Sequence, residues 1–106
     1  MSGDFKVLLQ ELKAGLVTLY GPRLRGVYLY GSYARGDYDA ESDFDALVVL
    51  NDFASYGAEV DRTSELAAAL SLQYGVSISQ VFLREEDWLT GDSPFLRSVR
   101  DEATAA

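Results

Sequence analysis

The sequence predicts an α/β (α+β) domain in which a small mixed β-sheet is backed by helices. Three observations carry this. Two long stretches, 4–20 and 56–74, repeat apolar residues on a helical period. Three short runs, 25–30, 44–50 and 76–83, are rich in β-branched and aromatic residues. Helical and extended stretches interleave along the chain, the order that builds sheets covered by helices. With 106 residues the chain has enough apolar side chains for one modest core, so a single domain spanning 1–106 is expected.

From Asp4 to Tyr20, Phe5, Leu8, Leu9, Leu12, Leu16, Leu19 and Tyr20 recur on a helical period, with Lys6, Gln10, Glu11 and Lys13 opposite. Ser2 or Asp4 can cap the start, and Gly21-Pro22 ends the helix. Arg25–Tyr30 reads as a strand ending at Gly31. Ser32 then stands where a helix N-cap would be, opening the short stretch SYARG before Gly36. Asp37–Ser42 is a polar, solvated loop. Phe44–Leu50 follows with so continuous an apolar run that it is expected to be buried on both faces in mid-sheet.

Tyr56–Tyr74 can place Val60, Leu66, Ala67, Leu70 and Tyr74 on one face, with Gly75 as its stop. Val76–Leu83 is the third strand. Glu85, Glu86 and Asp87 open a short helical turn in which acids suit the helix N-terminus, and Trp88 is expected to pack. Asp92-Ser93-Pro94 caps a last helix with an apolar face of Phe95, Leu96 and Val99, its Arg97 and Arg100 exposed or meeting an acid. Such a tail helix docks on the sheet or on a second subunit, so a homo- or hetero-oligomer stays open.

Composition excludes several chemistries. A net charge of −8 and a pI near 4.3 disfavour nucleic acid as a direct partner, because a basic face supplies most of that affinity. The absence of cysteine removes thiolate catalysis and sulfur-held zinc, and the absence of histidine removes imidazole bases and imidazole metal ligands. Any metal must be held by oxygen, which points to Mg²⁺, Mn²⁺ or Ca²⁺. No signal peptide and no run of about 20 apolar residues is seen, so a soluble, cytoplasmic protein without membrane attachment is expected.

The stretch Gly31–Leu50, GSYARGDYDAESDFDALVVL, holds the candidate chemistry. Asp43 and Asp45 are separated by one residue, so on a strand both point the same way, with Cα atoms about 6.6 Å apart. That arrangement lets two carboxylates share a cation. At the entrance to a buried strand two like charges have no packing reason to exist. Gly31-Ser32, on the preceding strand, offers backbone N–H groups to a phosphate if a short helix starts there. A Gly-Ser turn alone is usually an ordinary turn, and an isolated Asp-x-Asp usually faces water; the two brought side by side by a hairpin-like return are what point to a ligand.

Gly31-Ser32, ten intervening residues and then Asp43-Phe44-Asp45 resemble the signature of the DNA polymerase β-like nucleotidyltransferase superfamily. GSYARGDYDAESDFDALVV is more closely similar to the minimal nucleotidyltransferase domains of prokaryotes, including antitoxins encoded beside HEPN-domain ribonuclease toxins. The order of elements extends the resemblance over nearly the whole chain. It implies a nucleotidyltransferase-like fold; the sheet, of three or more strands, is expected to be backed by helices on one side, with the opposite face left for the nucleotide and a partner. It also implies Mg²⁺ (or Mn²⁺) held by Asp43 and Asp45 as the catalytic pair, and ATP phosphates held at Gly31 and Ser32. The resulting reaction is transfer of a nucleoside monophosphate, AMP from ATP, to a hydroxyl. With no added domain to grip an acceptor, the resemblance suggests a HEPN toxin as the partner that presents it. Arg35 touches phosphate or acceptor, or else pairs with Asp37 or Asp39.

The sequence departs from the family at one place. Active members carry a third carboxylate on the third strand, where this chain has Ser79, and a serine hydroxyl is a poor Mg²⁺ ligand and no base near neutral pH. Three readings follow. Another acid fills the site, with Asp37, Asp39 and Glu41 nearest in sequence; or a reduced metal shell suffices; or the chain is a nucleotide-binding module that neutralises its partner by contact.

Overall fold

In the computed structural model, which describes residues 4–106, the elements follow as α1 (Asp4–Tyr20), a 3-10 turn (Gly21–Arg23), β1 (Leu24–Tyr30), α2 (Ser32–Arg35), β2 (Phe44–Leu50), α3 (Tyr56–Tyr74), β3 (Ile78–Arg84), α4 (Glu85–Thr90), α5 (Pro94–Glu102) and β4 (Thr104–Ala105). The Ser2 cap lies outside the described residues. The sheet is four-stranded and mixed, in the order β3-β2-β1-β4, with β1 antiparallel to β2 and β4 and with β2 parallel to β3. This is the expected α+β class, with β2 in the interior of the sheet as its apolar run requires. The two-residue β4, which is absent from the sequence expectation, adds to the outer edge of β1, pairing Tyr28 with Ala105 and Leu29 with Thr104.

On one face, Phe44, Ala46, Val48 and Leu50 of β2 join Val27 and Leu29 of β1 and Phe82 of β3 beneath α1 and α3. Phe44, wholly buried, contributes about 2–3 kcal/mol by leaving water. The other face corrects the expectation that it stays open. Leu47 and Val49 point there, and α5 lays Val99 over them, with Trp88 and Ala103 packed alongside. The reason is the continuous apolar run itself: a strand with apolar residues at every position has to be covered twice, which requires helices on both sides.

Two helix faces also differ from the helical-period reading. Leu19 and Val60 are exposed, whereas α3 buries Glu59 and Thr63. An unpaired buried carboxylate would cost several kcal/mol. Glu59 is buried because it accepts from the Tyr20 hydroxyl at 2.7 Å and from Arg62 Nε at 3.0 Å. Burial alone would raise its pKa; the bonds from Tyr20 and Arg62 overcome this and hold it below the usual carboxylate value. Thr63 donates to the Glu59 carbonyl and accepts from Gln80 Nε2, tying α3 to β3.

The C-terminus of α3 and the N-terminus of α5 follow the expected chemistry. Gly75 closes α3 in the left-handed conformation, and the Ser93 side chain caps α5 by accepting from the Leu96 N–H, with Pro94 at the first helical position. Phe95 stays 43% exposed, its ring meeting Tyr30 edge to face. Arg97 pairs with Asp92, and Arg100 donates to the carbonyls of Trp88 and Gly91. Among the described residues, no helix is long and apolar enough to cross a membrane.

Candidate active site

The β1–β2 pairing builds the site. In the antiparallel register Tyr30 lies opposite Asp45, so Gly31, the next residue of the chain, comes against the Asp45 side chain. Gly31 has φ 75° and ψ −156°, a conformation essentially restricted to glycine. A Cβ built on it would overlap the Asp45 carboxylate, so glycine is required here for both backbone and space. The residue at the N-cap of α2 is Gly31; Ser32, expected to be the cap, is instead the first helical residue. Gly31 takes that position because only it can make the reversal against Asp45. The single turn of α2 closes with the Arg35 N–H on the Gly31 carbonyl at 3.1 Å, and with the N–H groups of Gly36 and Asp37 both on the Ser32 carbonyl. The N–H groups that open such a turn point outward without an intrahelical acceptor.

Asp43 lies just before β2 and is exposed; Asp45 is the second residue of β2 and is half-buried. Phe44 between them points into the opposite core, and Tyr33 of α2 meets its ring edge to face at 5.3 Å. Tyr38 stacks on Tyr33 at 4.1 Å, and Phe5 closes the group from α1. This aromatic group anchors both the turn and the loop leading to Asp43. Two of the three loop acids already have partners. Asp37 accepts from Arg35, and Asp39 Oδ1 accepts from the Glu41 N–H at 2.8 Å and from Ser42 Oγ at 3.3 Å. Asp39 thus braces its own turn, and Asp37 is committed to Arg35.

Ser79 is the in-register neighbour of Asp45 across the parallel β2–β3 pair. It stands beside the aspartate with no carboxylate to offer. The acid that approaches the site comes from a region that sequence reasoning did not connect with it: Glu102, the last residue of α5, accepts from Arg35 Nη1 at 2.9 Å. Arg35 therefore pairs with Asp37, one of its two expected acids, and with Glu102, which is 67 residues away. No local pattern could have announced that contact.

Burial chiefly, and then the neighbouring Asp43 charge, raise the Asp45 pKa; Arg35 opposes this and Glu102 adds to it. The Tyr30 phenol is pushed up to about 12, by burial first and by Asp45 next, so it stays a neutral donor at physiological pH. Two carboxylates at the mouth of a strand, beside an outward-facing turn, form an electronegative spot that a cation would neutralise. Among the described residues no three or more acids gather into a metal cage. The donor set still fits Mg²⁺, which is commonly held by one or two carboxylates with phosphate oxygens and water completing its shell.

The Nucleotidyltransferase domain family model matches residues 9–103, taking in both strands of the site and β3. A relative from Methanocaldococcus jannaschii named "Putative protein adenylyltransferase MJ0141" is 35% identical over 78 residues, 74% of this chain and 78% of that protein. Two solved structures share the fold. A toxin–antitoxin with AMP-PNP superposes with a TM-score of 0.63 at 21% identity, covering 91% of this chain and 70% of that one. The tri-AMPylated HEPN toxin of Shewanella oneidensis in complex with MNT antitoxin superposes with a TM-score of 0.53 at 20% identity, covering 92% and 70%. Family match and fold agree with the turn and strand pair just described: the chain belongs to the nucleotidyltransferase domain family.

Proposed function

We propose that residues 1–106 act as one minimal nucleotidyltransferase unit that moves AMP from ATP to a hydroxyl of a partner protein, and that this partner is a HEPN-family ribonuclease toxin silenced by the modification in the cytoplasm. The observation that carries the reading is the seating of the Gly31 turn against Asp45. In this reading the N–H groups that open the turn take phosphate beside the carboxylate pair. The curated relative named for protein adenylyl transfer and the tri-AMPylated HEPN toxin bound to a neighbour of the same fold support the choice of group and acceptor. The acidic charge of −8 suits a partner with a basic RNA-binding face.

In this reading the Gly31–Ser32 turn holds the terminal phosphates of ATP, and Arg35 meets the phosphate from the far end of α2. Mg²⁺ or Mn²⁺, when bound by Asp43 and Asp45, supplies the positive charge that offsets the phosphates. The acceptor hydroxyl gives up its proton to solvent as its oxygen bonds to the α-phosphorus in line, the bond to the bridging oxygen breaks, and pyrophosphate leaves. The chain's own contribution is positioning and electrostatics.

Ser79 beside Asp45 favours a second reading, a nucleotide-binding module that neutralises its partner by contact without transfer. Incubation with the product of the neighbouring gene, ATP and Mg²⁺, followed by intact mass measurement, separates the two. An adenylyl increment on the partner, lost in Asp43→Asn and Asp45→Asn, is expected. No increment, with neutralisation retained in the double variant, would favour the binding module instead.

A further inference from the structure

Glu102 occupies a place that is electrostatically unfavourable on every count but one. It is the last residue of α5, where the helix dipole disfavours negative charge. It acts with Asp43 as a like charge on Asp45, and its side chain is only 19% exposed. The compensating contact is Arg35, whose Nη1 donates to Glu102 Oε2 at 2.9 Å. On the same guanidinium, Nε donates to Asp37 Oδ2 at 3.1 Å. Two carboxylates from different parts of the chain, one in the loop after α2 and one at the end of α5, therefore hold a single planar group by adjacent nitrogens. Among the described residues the third nitrogen, Nη2, makes no hydrogen bond or ion pair.

We infer that Glu102, together with Asp37, is a positioning residue for Arg35, holding its guanidinium so that Nη2 stays available to the phosphates of a nucleotide at the Gly31–Ser32 turn. This rests on the nucleotide reading above. A guanidinium is a planar fork whose value in binding phosphate comes from presenting its N–H groups in a set direction. Left alone, Arg35 is half-exposed at the end of a four-residue helix and free to sample many rotamers. Ordering it before the ligand arrives lowers the entropy cost of binding. The pair also makes the C-terminal helix part of the site, which otherwise consists of a turn and two strands.

The opposing explanation, that Glu102 matters only as a charge, predicts the opposite sign. Removing a negative charge beside an anion site should tighten ATP binding, whereas loss of a positioning residue should weaken it. The test is ATP affinity in the presence of Mg²⁺, measured by titration calorimetry on the wild-type chain and on Glu102→Ala and Glu102→Gln, each also made in an Arg35→Ala background. Circular dichroism melts check that all variants are folded. Glu102→Ala is expected to weaken binding about two- to fivefold, the scale of one exposed ion pair. Glu102→Gln keeps an acceptor oxygen and should recover part of the loss. With Arg35 absent, Glu102→Ala should no longer weaken binding.

Tighter or unchanged binding in Glu102→Ala, or the same weakening in both backgrounds, overturns the inference. A readout that needs no nucleotide accompanies it: the Arg35 Nε–H resonance in ¹⁵N NMR, sharp in the wild type and broadened in Glu102→Ala. A wild-type chain that binds no ATP would overturn the nucleotide reading. A resonance equally sharp in both proteins would overturn the positioning role independently.

Discussion

Replacing Gly31 by alanine tests whether the Gly31 turn is built around Asp45. With φ at 75° and ψ at −156°, an alanine there is held in a region that costs about 1–3 kcal/mol. Its Cβ would meet Asp45 Oδ2 and lie 3.2 Å from Asp45 Cγ, so the carboxylate must leave its rotamer at a further cost of about 0.5–1.5 kcal/mol. The sum, about 1.5–4.5 kcal/mol, corresponds to a fall in Tm of about 7–20 °C for a domain of this size. Gly36 is the control. Its φ of 85° and ψ of 9° make it left-handed too, but a Cβ there meets nothing within 4 Å. Gly36→Ala should therefore cost about 1–2 kcal/mol, with a correspondingly smaller shift. Thermal melts and ATP titration on both variants give the answer. Gly31→Ala is expected to lose ATP binding as well as stability, and Gly36→Ala to keep binding. The extra loss in Gly31→Ala should shrink in an Asp45→Ala background. Equal shifts in Tm for the two glycines, with binding retained in both, would refute the reasoning.

Two further outcomes follow from the same strand pair. Asp45 has a folded-state pKa above its ordinary 3.8, chiefly from burial. As pH rises from 3.8 through the folded pKa, the native state keeps the proton that the unfolded state releases; stability falls across that window and stays reduced above it. Asp45→Asn should flatten that part of the pH–stability curve and melt higher than the wild type at pH 7, and a lower melting temperature there would contradict the electrostatics assigned to Asp45. Ser79→Asp would place a carboxylate about 5 Å from Asp45 across the parallel pair. Bulk-water Coulomb energies of about 1.7 kcal/mol for a divalent ion and about 0.8 kcal/mol for two like charges at that separation predict roughly tenfold tighter Mn²⁺ binding in the presence of ATP and a slightly less stable apo chain. Unchanged Mn²⁺ affinity would show that Ser79 does not face the cation.

The sequence made much of this legible where the signals were local. The bounds of α1, β2 and α3 are readable from period and punctuation, and a turn and a spaced acid pair mark the two stretches that the fold brings together as the candidate site. What was not legible depended on distance along the chain. Glu59 looks like a surface acid until Tyr20 is known to stand over it. Glu102 looks like the frayed end of a tail helix until the fold brings Arg35 to it. The covering of the second sheet face is legible in β2 itself: its continuous apolar run calls for burial on both faces, and Leu47 and Val49 do pack opposite Phe44, Ala46 and Val48, against the expectation of helices on one side only. Ser32 was displaced from the cap because proximity to Asp45, a tertiary constraint, outweighed the side-chain preference that favours serine there.

The antiparallel hairpin of β1 and β2 bears on the order in which the molecule is assembled. Everything from the turn to the acid pair lies within residues 24–50, so its contacts close a short loop and carry little entropic penalty. The parallel partner β3 has to wait for the α3 crossover, and α5 reaches the site from the far end of the sequence. A chain emerging from the ribosome would hold the makings of the Gly31 turn well before the helix bearing Glu102 exists. Arg35 would then gain its second carboxylate last, making the clamp a late step in maturation.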